Sequence, residues 1–484
     1  MMMPDTWDTI ETLDARFAAA RDAARAEPDA PWSLRKDRLE RLARMLREDE
    51  DGVVAAISSD FGQRAAADTQ LAEVFPTYAE ISHALRHGRG WMKPRRVPTA
   101  MWFWLGRSRI VPQPKGLVGI IGPWNYPLFL LTGPLAGAFA AGNRAIVKTS
   151  EYAPHFANWF TQAAARHFAP EELSVIRGGP EIGAAFAALP FDHLFFTGNG
   201  EVGKKVMAAA APNLTPVTLE LGGKSPVIVT AKADLDRAVA RVMTGKMLNA
   251  GQTCVAPDYV MIDRALMTPF IEKAQGWVSK HYPDLAVNPD FTRIIDDRQF
   301  TRLMGLRDDA VGRGAQLHPL SGVEPNANSR LFPPVIVTGA PMDSALMTNE
   351  IFGPVLPVVP IDDPKEAVAH VTARARPLAT YYFSEDRAEI DALSAQIVSG
   401  GACHNETIMH VAQTNLPFGG VGASGMGGYH GQHGFDTFSH LRGTFIQPKL
   451  NGMGMLAPPY GRRFWSMIKT LKRIALPRGA RQGR

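Results

Sequence analysis

The sequence predicts an α/β protein with a doubly wound parallel-sheet domain, a second α/β domain and a small β arm, and three observations carry that prediction. Between Arg144 and Thr230 the short β-rich runs "AIVKTS", "LSVIRGG", "HLFFTG", "TLELGG" and "PVIVT" alternate with Ala-rich helical stretches, the pattern of a parallel sheet wound on both faces. A second alternating series follows Cys254: "YVMI", a helix from about Pro269, "PPVIVT", "PVLPVVPI", a helix near Glu366 and "TYYFS". The chain's 484 residues also exceed what one hydrophobic core holds, roughly 250–300. The first series gives way to the second near Leu221.

In chain order, Thr9 to about Asp49 shows helical periodicity: Ile10, Leu13 and Phe17 share one face, then Leu39, Leu42, Met45 and Leu46 share another. Ser33 is the expected N-cap of the second helix. The segment "VPTAMWFWLGRSRIVPQP" brackets aromatics with prolines and reads as an extended arm or edge hairpin. Packing within that arm is the expected fate of Trp102, Phe103 and Trp104. Gly116 to Asn143 is 28 residues without a charge, long enough to cross a bilayer. Pro123, Pro127 and Pro134 break it into a strand at Leu117–Ile121, a loop, and a small-residue helix starting near Pro134, where a first-turn proline loses nothing. The Gly-rich "PFGGVGASGMGGYHGQHG" precedes "FDTFSHLRGTFI", a returning strand or second arm.

Composition excludes several classes. With 45% hydrophobic and 20% charged residues, the chain is an ordinary globular protein. Its two cysteines, Cys254 and Cys403, cannot build a disulfide framework or a four-cysteine zinc site, so a reducing compartment and no metal are expected. The opening Met1-Met2-Met3-Pro4-Asp5, followed by Asp8, Glu11 and Asp14, lacks the basic flank and apolar run of a secretory signal, and a cytoplasmic protein is expected. The net charge of +5 resides in the last 24 residues, which carry eight basic and no acidic side chains and leave the rest at −3. The body therefore gives no case for a nucleic-acid groove. In "RRFWSMIKTLKRIAL", Phe464, Ile468 and Leu471 fall near one helical face among Lys and Arg, as in an interfacial helix touching a membrane surface or in a solvated terminus.

Four groups of residues stand out chemically. Gly198-Asn199-Gly200-Glu201-Val202-Gly203 follows an apparent strand and opens a helix, the context in which glycines admit a pyrophosphate to a helix N-terminus, although such spacing also makes plain turns. Lys148 and Glu151, at the end of "RAIV", form either a grip on ribose hydroxyls or a surface ion pair. Cys254, in "NAGQTC", is either a small buried hydrophobe or a nucleophile. A nucleophilic thiol needs access, which Gly251, Gln252 and Thr253 would give, and electropositive or dipolar surroundings. Neither cysteine shows a histidine partner in the sequence, which leaves a Cys–His peptidase little support. Glu220, in "LELGGKSP", lies 20 residues beyond Gly200, where a Rossmann fingerprint wants its ribose ligand; it also ends an apolar strand, where desolvation would raise its pKa toward that of a general base.

Together "GPWNYP", "AIVKTSE", "FFTGNGEVG", "LELGGKSP", "NAGQTC" and "EIFGPVLPV" resemble, in order and spacing, the motif series of the aldehyde dehydrogenase superfamily over about residues 10–450. "CVAPDY", "PLATYYFS" and "LPFGGVGASGMGGYHG" resemble its class 3 branch, and the overall length and "PPYGRRF" resemble the bacterial coniferyl aldehyde dehydrogenases within it. The resemblance implies that Cys254 is the nucleophile, Glu220 the base that activates water, and the Asn125 side chain with the Cys254 N–H the oxyanion donors; the ribose reading of Glu220 is then set aside. It places Lys148 and Glu151 on the adenosine ribose, Gly198 and Val202 near the pyrophosphate and adenine, and Trp124 beside the cofactor. Glu350 and Phe352 would hold the nicotinamide riboside, and Asn405 would be a structural residue near the active centre. Asn199-Gly200 departs from the family's usual Ser or Thr after the glycine, and Glu406 stands where class 3 members have Asp.

The resemblance further implies a cofactor domain at residues 1–97 and 113–220, a catalytic domain at 221–412, oligomerisation arms at 98–112 and 413–450, and a basic tail at 451–484. A homodimer that uses NAD, with NADP also accepted, and a small aldehyde substrate are expected. Coniferyl or another aromatic aldehyde is the leading substrate, with a medium- or long-chain fatty aldehyde as alternative. Glu220 argues against a CoA-acylating enzyme, and Cys254, Glu220 and Asn125 together argue against a non-enzymatic protein on the same fold.

Overall fold

The computed structural model describes residues 7–103, 105–451 and 453–477; Met1 to Asp5, Trp104, and Arg478, Arg481 and Arg484 of the tail lie outside them. In chain order the strands are β1 (Arg95–Val97), β2 (Arg107–Pro114), β3 (Leu117–Ile121), β4 (Arg144–Lys148), β5 (Leu173–Ile176), β6 (His193–Gly198), β7 (Val217–Leu221), β8 (Pro226–Val229), β9 (Tyr259–Asp263), β10 (Gln316–Pro319), β11 (Val335–Thr338), β12 (Val355–Ile361), β13 (Ala379–Phe383), β14 (Gly401–His404), β15 (Gly425–Met426) and β16 (Ser439–Ile446).

Two large sheets follow the two alternating series. The first has the order β15-β7-β6-β3-β4-β5 and is parallel except for β15. Its chain starts in the middle at β3, fills β4 and β5 on one side, then crosses to β6 and β7, so the topological switch lies between β3 and β6. β3 reads Leu-Val-Gly-Ile-Ile because all five residues are buried, as a strand covered on both faces requires. The second sheet has the order β10-β11-β12-β9-β8-β13-β14, parallel except for β10. The chain passes between the sheets from Leu221 to Pro226, which sets the C-terminal end of β7 against the N-terminal start of β8.

Several expected boundaries move. The first helix runs Ile10–Ala26, with Thr9 as N-cap. The second runs Trp32–Glu48 with Pro31 as N-cap, which places Ser33 inside it; the fixed φ of a proline suits the extended entry. The apolar helix is Phe129–Ala141 and contains Pro134 instead of starting there. A proline inside a helix forgoes the hydrogen bond to the carbonyl four residues back, and burial of every residue of this helix outweighs that loss. The helix expected from Pro269 begins at Arg264, capped by Asp263.

The chain forms two units, residues 7–91 with 113–440 and residues 92–112 with 441–477. In the second unit β1 and β2 pair antiparallel as a hairpin, and the sheet order is β1-β2-β16. Phe103 packs on Phe445 at 5.8 Å. The stretch 413–450, expected as one arm, divides: β15 joins the first sheet and only β16 joins the hairpin. Backbone pairing of Gly425 and Met426 with Glu220 and Leu219 holds β15 where it is.

The C-terminus of Phe129–Ala141 shows how the N-terminal helices lock onto this frame. Arg35, 3% exposed, donates from Nη1 to Ala141 O at 2.7 Å and Ala140 O at 3.2 Å. Gly142 ends that helix in the left-handed region at φ 95°, where an added Cβ would lie 2.6 Å from Arg35 Cζ. Gly142→Ala is expected to lower the denaturant midpoint by the equivalent of about 1–3 kcal/mol; an unchanged midpoint would contradict this capping arrangement.

Candidate active site

The C-terminal ends of the first sheet meet the N-terminal starts of the second, and there the predicted catalytic residues collect. β3 runs into Gly122-Pro123-Trp124-Asn125-Tyr126 beside the switch point, where ligands of open α/β sheets bind. Glu220 lies at the end of β7, Cys254 precedes β9, and Glu350 to Phe352 precedes β12. Three contacts join the edges: Asn125 Nδ2 donates to Gln252 O at 3.1 Å, Tyr126 OH lies 2.5 Å from Thr253 Oγ1, and Gly223 N donates to Glu350 Oε1 at 3.2 Å. The Trp124 and Phe352 rings meet edge to face at 5.3 Å.

The turn carrying Cys254 is built from strained backbone. Asn249, Ala250 and Gly251 have φ of 52°, 51° and 73°, a left-handed run that non-glycine residues adopt only where their surroundings enforce it. Side-chain amides enforce it here. Asn249 Nδ2 donates to Asn125 O at 3.1 Å and Gln252 O at 3.2 Å, while Gln252 Nε2 donates to Asn249 O and Arg293 O, both at 3.0 Å. Gln252 Oε1 accepts from Ile295 N at 3.0 Å. Gln252, expected to give access to the thiol, is instead a buried strut; Cys254 itself is partly exposed.

Burial and two acidic neighbours, not cations, set the thiol's surroundings. Burial, then Glu350 and Glu220, push Cys254 up to about 12, and the backbone N–H groups of Cys254 and Val255 counter this only in part. Of the surroundings that favour a thiolate, only the dipolar kind is present, and burial keeps the resting thiol protonated at neutral pH. Glu220 is 3% exposed with neither carboxyl oxygen paired, and burial holds it well above the ordinary carboxyl range. β15 lies alongside it, pairing Gly425 with Glu220, which gives the Gly-rich segment a place in the site. Burial, then Asp258, push Glu350 up to about 8. Gly222 makes room for it, since a Cβ there would come within 2.1 Å of Glu350 Oε2.

The remaining predicted cofactor residues lie along the first sheet's C-terminal ends. Lys148, 4% exposed, ends β4 and pairs with Glu151 at 3.0 Å. Gly198 ends β6, and the helix Gly200–Ala210 follows with Val202 in its first turn; Asn199, the departure from the family pattern, caps it by accepting from Val202 N at 2.9 Å. A Cβ on Gly200 would meet nothing within 4 Å, so this strand–turn–helix is open in front of the helix N-terminus. Such an arrangement fits the phosphate groups of a dinucleotide at a helix N-terminus, with the remaining predicted cofactor residues, Trp124, Glu350 and Phe352, at the junction of the two sheets. Asn405 follows β14, the edge strand of the second sheet, where its side chain accepts from Ser384 N at 3.0 Å and donates to Ser384 O at 2.9 Å as a structural clamp.

Some contributors carried no legible signal. Arg302 donates to Glu350 O at 3.2 Å and Ile351 O at 2.7 Å, and Asp258 Oδ1 accepts from Ile351 N at 2.9 Å, so the segment bearing Glu350 is held from two sides. Lys224 pairs with Asp258 and donates to Asn349 O at 2.8 Å; both sit in motifs whose chemistry went unassigned. Lys246 is buried, and burial takes it down to about 8. The expectation that neither cysteine has a histidine partner is corrected for Cys403, whose Sγ lies 3.3 Å from His410 Nδ1. Burial pushes that thiol up to about 11 and that imidazole down to about 4, so the contact joins two neutral groups and activates nothing.

If the carboxylates suppress the thiolate, Glu350→Gln is expected to lower the apparent pKa of Cys254 alkylation by iodoacetamide, each unit giving about tenfold more thiolate at a fixed pH. An alkylation profile that does not move would contradict this electrostatic account.

Comparison with known proteins agrees with this geometry. The aldehyde dehydrogenase family model matches residues 8–443. A "Probable coniferyl aldehyde dehydrogenase" of Pseudomonas aeruginosa is 45% identical over 462 residues, covering 96% of each chain. Aldehyde dehydrogenase family 3 member A2 of Macaca fascicularis is 38% identical, over 92% of this chain and 91% of the relative. The solved substrate-bound state of Staphylococcus aureus AldH superposes with a TM-score of 0.90 at 35% identity, covering 95% of this chain and 99% of that one. With its site built on that fold and its relatives similar along nearly their whole length, the chain belongs to the aldehyde dehydrogenase family, in its class 3 branch, as an NAD(P)-dependent enzyme.

Proposed function

We propose that the protein oxidises coniferyl aldehyde or another aromatic aldehyde to the free carboxylic acid through a thioester on Cys254. The observation that carries this is the meeting at one junction of a thiol, an unpaired buried carboxyl and a side-chain amide: Cys254, Glu220 and Asn125. The Cys254 thiol gives its proton to solvent as sulfur bonds to the carbonyl carbon, and Glu220, desolvated at the end of β7, is kept as the base for the hydrolytic step. The oxygen of the resulting thiohemiacetal is hydrogen-bonded by Asn125 Nδ2 and the Cys254 N–H, donors set before the charge develops. When bound, NAD(P) accepts the hydride from that carbon. Glu220 then draws a proton from water, which attacks the Cys254 thioester and frees the acid and the thiol.

Glu151 at the adenosine ribose favours NAD, because a 2′-phosphate would face its carboxylate. Relatives named for coniferyl aldehyde at 45% and 40% identity support the aromatic substrate over a fatty one. Turnover of coniferyl aldehyde, benzaldehyde, hexanal and dodecanal with each dinucleotide checks this reading. Free acid without CoA, and the highest kcat/KM for coniferyl aldehyde with NAD, are expected; a CoA requirement or an aliphatic preference would contradict it.

We further propose a cytoplasmic homodimer that touches membranes. The hairpin unit exposes Met101, Trp102, Phe103, Leu105, Phe445 and Ile446, each at least 40%, on a three-stranded sheet, an apolar surface of the kind that marks an interaction site. No helix among the described residues is long and apolar enough to cross a membrane. The helix Arg462–Ala475 has no buried residue and, at 100° per residue, gathers Phe464, Met467, Ile468 and Leu471 on one arc and Arg462, Lys469 and Arg473 on the other, a fit to an anionic lipid surface. Sedimentation of the full chain and of a form ending at residue 460 is expected to show dimers of both, with anionic vesicles pelleting only the full chain. Monomers would contradict the first proposal, and equal vesicle binding the second.

A further inference from the structure

We propose that Arg64 and Glu73 are positioning residues that clamp the backbone of the Trp124-to-Phe129 loop and so set Asn125 as oxyanion donor; the inference rests on the reading of Asn125 as that donor. The Arg64 and Glu73 side chains are both 0% exposed and lie 3.0 Å apart, Nη1 to Oε1. Arg64 Nη1 donates to Asn125 O at 2.8 Å. On the far side of the same loop, Glu73 Oε2 accepts from Leu128 N at 2.7 Å and Phe129 N at 3.3 Å. One ion pair thus holds both ends of the segment that carries Asn125.

The local backbone is shaped for this. Arg64 follows the helix Glu50–Phe61, which ends at Gly62 in the left-handed region, and its guanidinium lies over the Phe61 and Tyr126 rings at 5.0 and 4.9 Å. Glu73 sits in a π-helical turn, Gln70–Val74, between the helices Ala66–Thr69 and Phe75–Trp91. The extra residue of a π turn shifts the helix phase, and such turns concentrate at functional sites. Here the shift turns Glu73 and Val74 inward, at 0% and 2% exposed, while Leu71 and Phe75 face out at 62% and 64%. Ala72, in the same turn, packs on Tyr126, Phe129 and Leu130.

Stability alone is a poor reason for this pair, because desolvation offsets most of the attraction between two fully buried charges. Its placement gives a better one. Asn125 O takes a second hydrogen bond from Asn249 Nδ2, so Arg64 and the cysteine turn fix the same peptide plane from two sides. Misplacement of a reacting group by about 1 Å can cost about 100-fold in rate, which is the scale on which such a clamp acts.

A double-mutant cycle on the full-length enzyme tests the proposal through kcat/KM for aldehyde, with NAD affinity measured alongside. Arg64→Lys is expected to lower kcat/KM by about 100-fold with NAD affinity unchanged, and to change it by no more than about twofold once Asn125→Ala is present. A full 100-fold loss in both backgrounds, or no loss in either, would overturn the clamp. Asn125→Ala alone is expected to cost about 100- to 1,000-fold; if it costs nothing, the donor reading fails first and the clamp with it. Where Arg64→Lys does not fold, Glu73→Gln, which keeps the shape and the acceptors for Leu128 and Phe129, carries the same cycle with the same expected non-additivity.

Discussion

The hydrogen bond from Asn125 Nδ2 to Gln252 O, 3.1 Å long, joins the C-terminal edge of one parallel sheet to the N-terminal edge of another, and the rest of the site is arranged around that meeting. Asn125 comes from the loop after β3, the strand where the first sheet changes its direction of winding. Gln252 comes from the turn before β9. Neither edge alone contains a thiol, a base and an oxyanion donor. Brought together, they enclose Cys254 between an amide on one wall and the carboxyl groups of Glu220 and Glu350 on the others.

That enclosure has an electrostatic consequence. Two buried carboxyls with raised pKa values stand near a thiol whose own pKa is raised. Groups this close titrate as a coupled set and not independently. The desolvation that raises the pKa of Glu220 makes it a stronger base once ionised, which suits the thioester hydrolysis proposed for it. The left-handed turn from Asn249 to Gly251 contributes by aiming the Cys254 backbone, and it stays in that conformation because Asn249 and Gln252 spend their amide groups on holding it.

Much of this was legible in the sequence where burial is symmetric. Strands covered on both faces read as continuous apolar runs, so β3, β4, β6, β7 and β8 stand out, and the glycine spacing at Gly198–Gly203 marked a strand–turn–helix correctly. The illegible parts share a cause: they depend on what lies across space. Ser33 looked like a cap because local chemistry favours it, yet Pro31 sets the entry to that helix. Pro134 looked like a start because packing that tolerates an interior proline is not written locally. Arg302, Arg64 and Glu73 look like solvated charges, and only the fold shows them gripping backbone carbonyls and amides. The Cys403–His410 contact spans seven residues that form a loop, a pairing no spacing rule suggests. Gly425 and Met426 are only two residues, one of them glycine, too short a run to announce a strand.

The reaction account turns on an acyl group resting on one sulfur until Glu220 activates water to remove it. Mixing Glu220→Gln with saturating aldehyde and NAD, quenching, and locating the adduct by peptide mass spectrometry tests that most directly. The account predicts a rapid burst of about one NADH per site, followed by slow turnover, with the acyl mass on the peptide containing Cys254. Unimpaired steady turnover, or a burst with no acyl mass on that peptide, would contradict it.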